Sequence, residues 1–331
     1  MKKRGMGIAT MFYPVGVSAL PNASAAFVKI NSDGSAVVYI GAADVGQGSS
    51  TVMVQIAAEV LGIPHDKVSL VKGDTKYGPY DQGTVASRVT YVLGNAVREA
   101  AINARATLFK IASEEFKIAT DALIAENGYI YVRNYPEKKL AISDLSRIAY
   151  VLRGWVPVGS GSFTPAVTPL DPVTGHGKPF PTYVYATQIA EVEVDTETGY
   201  YEVLHLIAVH DCGYAINPLL VEGQIEGGIS NGIGYAMCEE MFMKDGKVLN
   251  PQFTDYIMPT ALDMPPITVD IVERPEPTGP FGAKGVGEPS LMPTAPSIIN
   301  AIEDAVGVKI RELPLTPEKL FFAMQQAQKK E

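Results

Sequence analysis

Apolar and polar positions alternate through residues 24–41, SAAFVKINSDGSAVVYIG, with a break at Asp33-Gly34. Period-two spacing puts successive side chains on opposite faces of a strand, and Asp-Gly suits a tight turn, so the segment predicts a β-hairpin. Gly46-Gln47-Gly48 and Ser49-Ser50-Thr51 come next, and then VMVQIAAEVLG, whose apolar spacing and closing Gly62 predict a helix with an N-terminal cap and a C-terminal stop. VSLVKGD (68–74) reads as a strand, and a long helix is expected over about 89–115, with Gly94, Ala96, Ala100, Ala101 and Ala104 leaving room for close packing. Periodicity fades over 154–181, rich in Gly, Pro, Ser and Thr, which reads as a long loop or a boundary. Residues 182–194 and 200–209 alternate again as paired strands around Thr196-Glu197-Thr198-Gly199. IAVHDCG then leads through Asn217-Pro218 into a Gly-rich helix, VEGQIEGGISNGIGYAM, where glycine is unfavourable unless a backbone or a ligand comes close. The last third holds a Pro-rich stretch, a glycine loop over 279–287 and a helix around 294–306. Strand, glycine turn and helix thus occur twice, and the expected architecture is α+β with two α/β subdomains, 1–165 and 166–331.

Composition narrows the function. The 331 residues, 47% hydrophobic, can bury an ordinary core, and the length suits about two domains. A net charge of -9 and a pI near 5.1 argue against nucleic acid or an anionic membrane surface as partner, since both need a concentrated positive field. Anionic ligands must then rely on backbone donors. No apolar run approaches the roughly 20 residues that span a bilayer, and Met1-Lys2-Lys3-Arg4 opens no clean signal sequence, so the expected location is cytoplasmic. Cys212 and Cys238 are too few for an iron–sulfur cluster or a structural zinc, and His65, His176, His205 and His210 lack metal-ligand spacing. No metal held directly by protein ligands is expected; any metal must be carried by another group.

Four segments could carry chemistry. The turn at 46–51 precedes a helix, whose free N–H groups and positive dipole end can cradle phosphate, and Gln47 adds an amide donor and acceptor between two glycines. Glycine turns also open many helices with nothing bound. Gly83-Thr84-Val85-Ala86-Ser87-Arg88-Val89-Thr90 is small and hydroxyl-rich, suited to phosphate or pterin, or else an ordinary cap with Arg88 on the surface. Gln224 in the Gly-rich helix is either a ligand or a satisfied core amide. Phe281-Gly282-Ala283-Lys284-Gly285-Val286-Gly287-Glu288-Pro289-Ser290 holds a carboxylate among glycines; desolvated, it could act as a general base, and solvated it is a plain surface group. His210-Asp211, with no third ligand nearby, is assigned to structure. Tyr13, in ATMFYPVG, reads as an aromatic in a Gly/Pro loop that lines a substrate pocket or anchors packing.

Taken in order, GQGSST, LVKGDT with GTVASRVT, VHDCGYAINPLLVEGQIEGGI and GPFGAKGVGEPS resemble the C-terminal half of the molybdopterin-binding subunit in the xanthine dehydrogenase and aldehyde oxidase (molybdenum hydroxylase) family, over nearly the whole chain. The resemblance implies that the two subdomains are those of that subunit, and that Glu288 is the catalytic base beside the metal. It implies that Gln47 contacts the metal's apical side and Gly46 and Gly48 the pterin, with Ser49 and Thr51 beside them. Ala86, Ser87 and Arg88 would hold the pterin or its dinucleotide, and Gln224, Gly285 and Gly287 would make further cofactor contacts. The implied cofactor is a molybdopterin dinucleotide, taken as the cytosine form, whose dithiolene holds the molybdenum. The implied partners are a larger molybdopterin subunit, an iron–sulfur subunit and an FAD subunit. The split arrangement and the KKRGMGIATMFYPVG opening most resemble the medium molybdopterin subunit of nicotinate dehydrogenases, which would make Tyr13 substrate-facing and the substrate a small heteroaromatic such as nicotinate, hydroxylated with water as oxygen source. An aldehyde or carbon monoxide dehydrogenase type, or a non-catalytic scaffold subunit, are the competing readings.

Overall fold

The computed structural model describes residues 1–18 and 22–329. Strands β1 (Lys2–Pro14), β2 (Ser24–Ile30) and β3 (Ala36–Ile40) precede helix α1 (Ser49–Leu61), and β4 (Val68–Lys72) leads to helix α2 (Gly94–Phe116), whose entry turn Val89–Leu93 is wound as a π-helix. A meander of β5 (Leu123–Glu126), β6 (Tyr129–Val132) and β7 (Tyr135–Ala141) is followed by α3 (Ile142–Arg147) and β8 (Val158–Phe163). Next come β9 (Tyr183–Asp195), β10 (Tyr201–Asp211) and α4 (Pro218–Met237), and then a small ladder of β11 (Met243–Lys244) and β12 (Lys247–Val248). β13 (Ile267–Val272), α5 (Thr294–Val306) and α6 (Pro317–Gln328) complete the chain. The class is mixed α+β, as expected.

The chain divides into two compact units, and they are not the consecutive pieces 1–165 and 166–331 expected from the sequence. One comprises 14–182 and 275–285; the other comprises 1–13, 183–274 and residues from 286 onward. The reason is strand pairing: β1 joins the edge of β9 in a sheet ordered β1-β9-β10-β13 among the described residues, which takes the N-terminus away from the segment that follows it.

In the unit built on 14–182, the sheet runs β4-β3-β2-β8. The β2–β3 pair is the hairpin that the alternation predicts, and β4 lies parallel to β3 after the crossover through α1. Val28, Ile30, Val38 and Ile40 of the sheet, Met53 and Ile56 of α1, and Val97, Leu108 and Ile111 of α2 are all buried. β8 falls inside the stretch read as a loop, because VGSGSF has no apolar side chain between Val158 and Phe163 to alternate. Its glycines are the point of contact: a Cβ at Gly159 would stand 2.2 Å from the Ala100 carbonyl, and one at Gly161 would stand 2.3 Å from that of Ala96. The small residues on α2 and the glycines on β8 are two halves of one close packing surface.

The unit built on 183–274 repeats the device. α5 lies on β1, where a Cβ at Gly5 would stand 2.2 Å from the Ala301 carbonyl. β9 and β10 are antiparallel, with a bulge between Val203 and His205, and β13 pairs parallel with β10. Val192, Val194 and Leu206 of the sheet share a core with Ile225, Ile229 and Ile233 of α4 and Ile298 and Ile302 of α5. Tyr13, expected in a loop, is the penultimate residue of β1. No helix among the described residues is long and apolar enough to cross a membrane.

Candidate functional site

The turn before α1 has no side-chain cap of the expected Ser or Thr kind; Gly48, in the left-handed region, occupies the N-cap position. The helix N-terminus is instead served by Asp44. Its Oδ1 accepts from the N–H groups of Gly46 (3.0 Å) and Gly48 (3.3 Å), and its Oδ2 from the N–H of Ser50 (2.9 Å). Burial pushes this carboxyl up, but the N–H and hydroxyl of Ser50 and the N–H groups of Gly46 and Gly48 outweigh it and hold it at about 2. A carboxylate already fills the anion position at this helix end, so the phosphate-cradle reading of residues 46–51 does not stand. Gln47 folds along its own loop: its Oε1 accepts from the Val45 N–H at 2.7 Å and its Nε2 donates to Ser49 Oγ at 2.8 Å. Ser49 is buried and Thr51 exposed.

Arg88 is neither a surface group nor open to a ligand. It is fully buried, and its guanidinium donates to Asn22 Oδ1 (2.5 Å), Asp81 Oδ1 (2.9 Å), the Gly83 carbonyl (3.0 Å), the Ala23 carbonyl (2.9 Å) and Ser24 Oγ (2.7 Å). Five acceptors match the five N–H donors of a guanidinium, so Arg88 anchors the 81–88 loop from beneath and its expected cofactor contact is corrected to a supporting role. The loop it anchors carries Ala86 and Ser87, both at φ 50°, a conformation that side chains other than glycine adopt at a cost.

These segments meet. Thr84 Oγ1 donates to the Ala43 carbonyl at 2.5 Å, tying the 83–88 loop to the turn before α1. Gly285 passes so close to Ser87 that a Cβ there would stand 1.6 Å from the Ser87 carbonyl, which only glycine permits. Turn 43–51, loop 83–88 and Gly285 therefore form one cluster. Around it, the faces of Gly46 and Gly83 are open, with no heavy atom within 4 Å of where a Cβ would stand, and Gln82 Oε1 is buried without a hydrogen-bond partner. Open glycine faces, a neighbouring amide and an unpaired buried carbonyl fit the hydrogen-bonding edges of a neutral, flat heterocycle such as a pterin. Among the described residues no group of three or more His, Cys, Asp or Glu side chains is placed to hold a metal ion.

The other candidates lie in the unit built on 183–274. Glu288, half-buried, starts a single 3-10 turn, Glu288–Ser290, directly after Gly287. Ser290 Oγ donates back to the Gly287 carbonyl at 2.6 Å, and the Leu291 N–H closes on the Glu288 carbonyl at 3.2 Å. The turn rests on α4, where a Cβ at Gly228 would stand 1.9 Å from Ser290 Oγ, and this accounts for one glycine of the Gly-rich helix. Gln224, half-buried, lies one helical turn before Gly228 on the same face. The helix start is as the sequence implies: Asn217 Oδ1 accepts from the Leu220 N–H, with Pro218 following. Tyr13 is half-buried at the end of β1.

Sequence reasoning missed Asp44 and Gln188. The signal for Asp44 was present, an Asp just ahead of a glycine turn and a helix. Gln188 carried none, because its partners, Ser290 and Thr294, are about a hundred positions away. His210, assigned to structure from the sequence, is fully buried, and burial pushes its imidazole down to about 4.

Residues 1–265 match the family described as molybdopterin cofactor-binding domain. An Escherichia coli xanthine dehydrogenase molybdenum-binding subunit is 35% identical over 328 residues, covering 96% of this chain and 42% of that protein. The nicotine 6-hydroxylase large subunit of Paenarthrobacter nicotinovorans is 33% identical over 299 residues, covering 89% of this chain and 36% of that one. The carbon monoxide dehydrogenase large chain of Hydrogenophaga pseudoflava is 33% identical over 303 residues, covering 90% and 37%. Among solved structures, quinoline 2-oxidoreductase from Pseudomonas putida superposes with a TM-score of 0.88 at 30% identity, covering 98% of this chain and 42% of that chain. The chain spans about two-fifths of the length of the relatives it matches.

Proposed function

Because the chain belongs to the molybdopterin cofactor-binding family of molybdenum hydroxylases, we propose that it is a catalytic part of such an oxidoreductase, acting on an N-heteroaromatic substrate with Glu288 as the base. The observation that carries this reading is the match of nearly the whole chain to molybdenum-binding subunits, together with a glutamate set on a tightly closed turn. When bound, the molybdenum cofactor supplies the redox centre at which water provides oxygen and the substrate carbon gives up two electrons. The chain's own part is placement and proton transfer. The open faces at Gly46 and Gly83 admit the flat pterin, Gln47 and Gln82 offer amide groups to its edges, and Gly285 lets the backbone close beside Ser87. Gln224, Gly48, Ser49, Thr51, Ala86 and Gly287 complete the proposed cofactor set, and Tyr13 faces the substrate. Glu288 accepts, at a carboxylate oxygen, the proton that leaves the water-derived nucleophile.

Relatives named for nicotine, quinoline and xanthine favour a nitrogen heterocycle, and nicotinate to 6-hydroxynicotinate is the first reaction to test. The similar carbon monoxide dehydrogenase chain favours a second reading, an aldehyde or carbon monoxide substrate. In either case a larger molybdopterin subunit supplies the remaining pocket, and electrons pass to iron–sulfur and FAD subunits. The test is metal and pterin analysis of the purified complex, with dye-linked turnover of nicotinate, quinoline, xanthine, benzaldehyde and carbon monoxide. Molybdenum near one per chain with turnover of a heteroaromatic supports the proposal; no molybdenum, or activity confined to aldehyde or carbon monoxide, contradicts it. Gly48→Asp, which sets a second carboxylate beside Asp44 and against the pterin, is expected to lower bound molybdenum at least 10-fold, an order-of-magnitude loss in line with a buried like-charge pair; unchanged metal content would count against the cradle.

A further inference from the structure

The inner face of β9 is apolar at Val184, Ala186, Ala190, Val192 and Val194, and in the same register stands Gln188, fully buried. A primary amide in that position is unfavourable unless its hydrogen bonds are made inside the protein. They are made to the segment that follows Glu288. Gln188 Nε2 donates to the Ser290 carbonyl at 2.7 Å, and Gln188 Oε1 accepts from Thr294 Oγ1 at 2.7 Å. Thr294 and Ser290 are themselves buried, and Thr294 sits at the first turn of α5. One rigid amide thus spans the end of the 288–290 turn and the start of the helix behind it. On the neighbouring strand, His210 Nε2 lies 3.5 Å from Gln188 Nε2, and its Nδ1 is buried without a hydrogen-bond partner, so Gln188 and His210 form a short polar row beneath this turn.

We propose that Gln188 is a positioning residue for Glu288: its side-chain amide clamps Ser290 to Thr294 and so holds the glutamate-bearing turn at one angle to the sheet. The proposal rests on the reading of Glu288 as the base and adds what orients it. Packing alone would be met by leucine or methionine, whereas an amide that reaches both a carbonyl and a hydroxyl fixes direction as well as volume.

The test compares Gln188→Leu, Thr294→Val, Thr294→Ser and Glu288→Gln in the purified complex. The substrate is the heteroaromatic turned over best in the screen above, with rates expressed per bound molybdenum. Loss of the clamp is expected to lower kcat at least 10-fold in Gln188→Leu and Thr294→Val with KM within about 3-fold, the pattern of a misplaced catalytic group rather than a weakened binding site. Thr294→Ser, which keeps the hydroxyl, is expected to restore kcat. A second readout needs no turnover: amide hydrogen exchange in peptides covering 288–294 is expected to quicken at least 10-fold in Gln188→Leu and Thr294→Val, with peptides from β10 unchanged. Unchanged kcat per molybdenum and unchanged exchange in both clamp variants would overturn the proposal. If Gln188→Leu does not assemble, Thr294→Val set against Thr294→Ser decides by the same criteria. Full activity in Glu288→Gln would defeat the reading of the base, and the clamp with it; an inactive Glu288→Gln beside a fully active Gln188→Leu would defeat the clamp alone.

Discussion

Arg88→Lys separates a residue that binds cofactor from one that builds the loop beneath it. Lysine keeps the charge but offers three donors from one nitrogen, in place of five spread over a planar fork that reaches Asn22, Asp81, Gly83, Ala23 and Ser24. At least two buried acceptors lose their donor, and at about 1–3 kcal/mol for each unsatisfied group the loss comes to about 2–6 kcal/mol. Asp81 is as buried as its partner, so water does not compensate. Trp155, the single tryptophan of the chain, lies in the same compact unit and reports its unfolding by fluorescence. With a urea dependence of about 2 kcal/mol per molar for a unit of this size, the midpoint is expected to fall by about 1–3 M in the cofactor-free chain. An unchanged midpoint combined with lost cofactor would refute the reasoning and return Arg88 to the ligand set.

Further expectations concern pH and packing. The imidazole of His210 is held near 4 when folded and titrates near 6.5 when unfolded, so the unfolded chain binds the proton first. Its contribution is therefore complete above about pH 6.5 and is lost as the pH falls toward 4, by at most about 3 kcal/mol; circular-dichroism unfolding curves across that window should show the loss in the native protein and not in His210→Asn, and equal slopes would contradict it. The same substitution at two glycines should have opposite signs. Gly159→Ala drives a methyl into the backbone of α2 and is expected to cost about 2 kcal/mol or more, whereas Gly223→Ala on the open face of α4 is expected to add about 0.5–1 kcal/mol, both read from thermal midpoints.

What could be read from the sequence was what local chemistry decides. The hairpin at 24–41, the stop at Gly62 and the Asn217-Pro218 helix start each depend on neighbours within a few positions, and all three are present. β1 was hidden because its pattern is inverted: Gly5 and Gly7 face the core while Met6, Ile8 and Phe12 point outward. β8 was hidden because glycine, the residue that lets α2 approach, carries no periodic signal. In the candidate site, small residues and their spacing singled out loops that lie together, in the cluster of 43–51, 83–88 and 285. The error lay in the charged side chains. Whether Arg88 meets a ligand or the protein depends on Asn22 and Asp81, and whether a helix end awaits an anion depends on Asp44. Both are settled by tertiary contacts that spacing does not encode.

The account turns on the carboxylate at position 288, and Glu288→Gln in the purified complex tests it most directly. Amide for carboxylate keeps shape and hydrogen-bonding reach but cannot take up a proton, so turnover per bound molybdenum is expected to drop at least 10²-fold, the usual scale for a lost general base, with molybdenum content and subunit assembly unchanged. Turnover within a few-fold of the native complex at equal molybdenum would contradict the central claim.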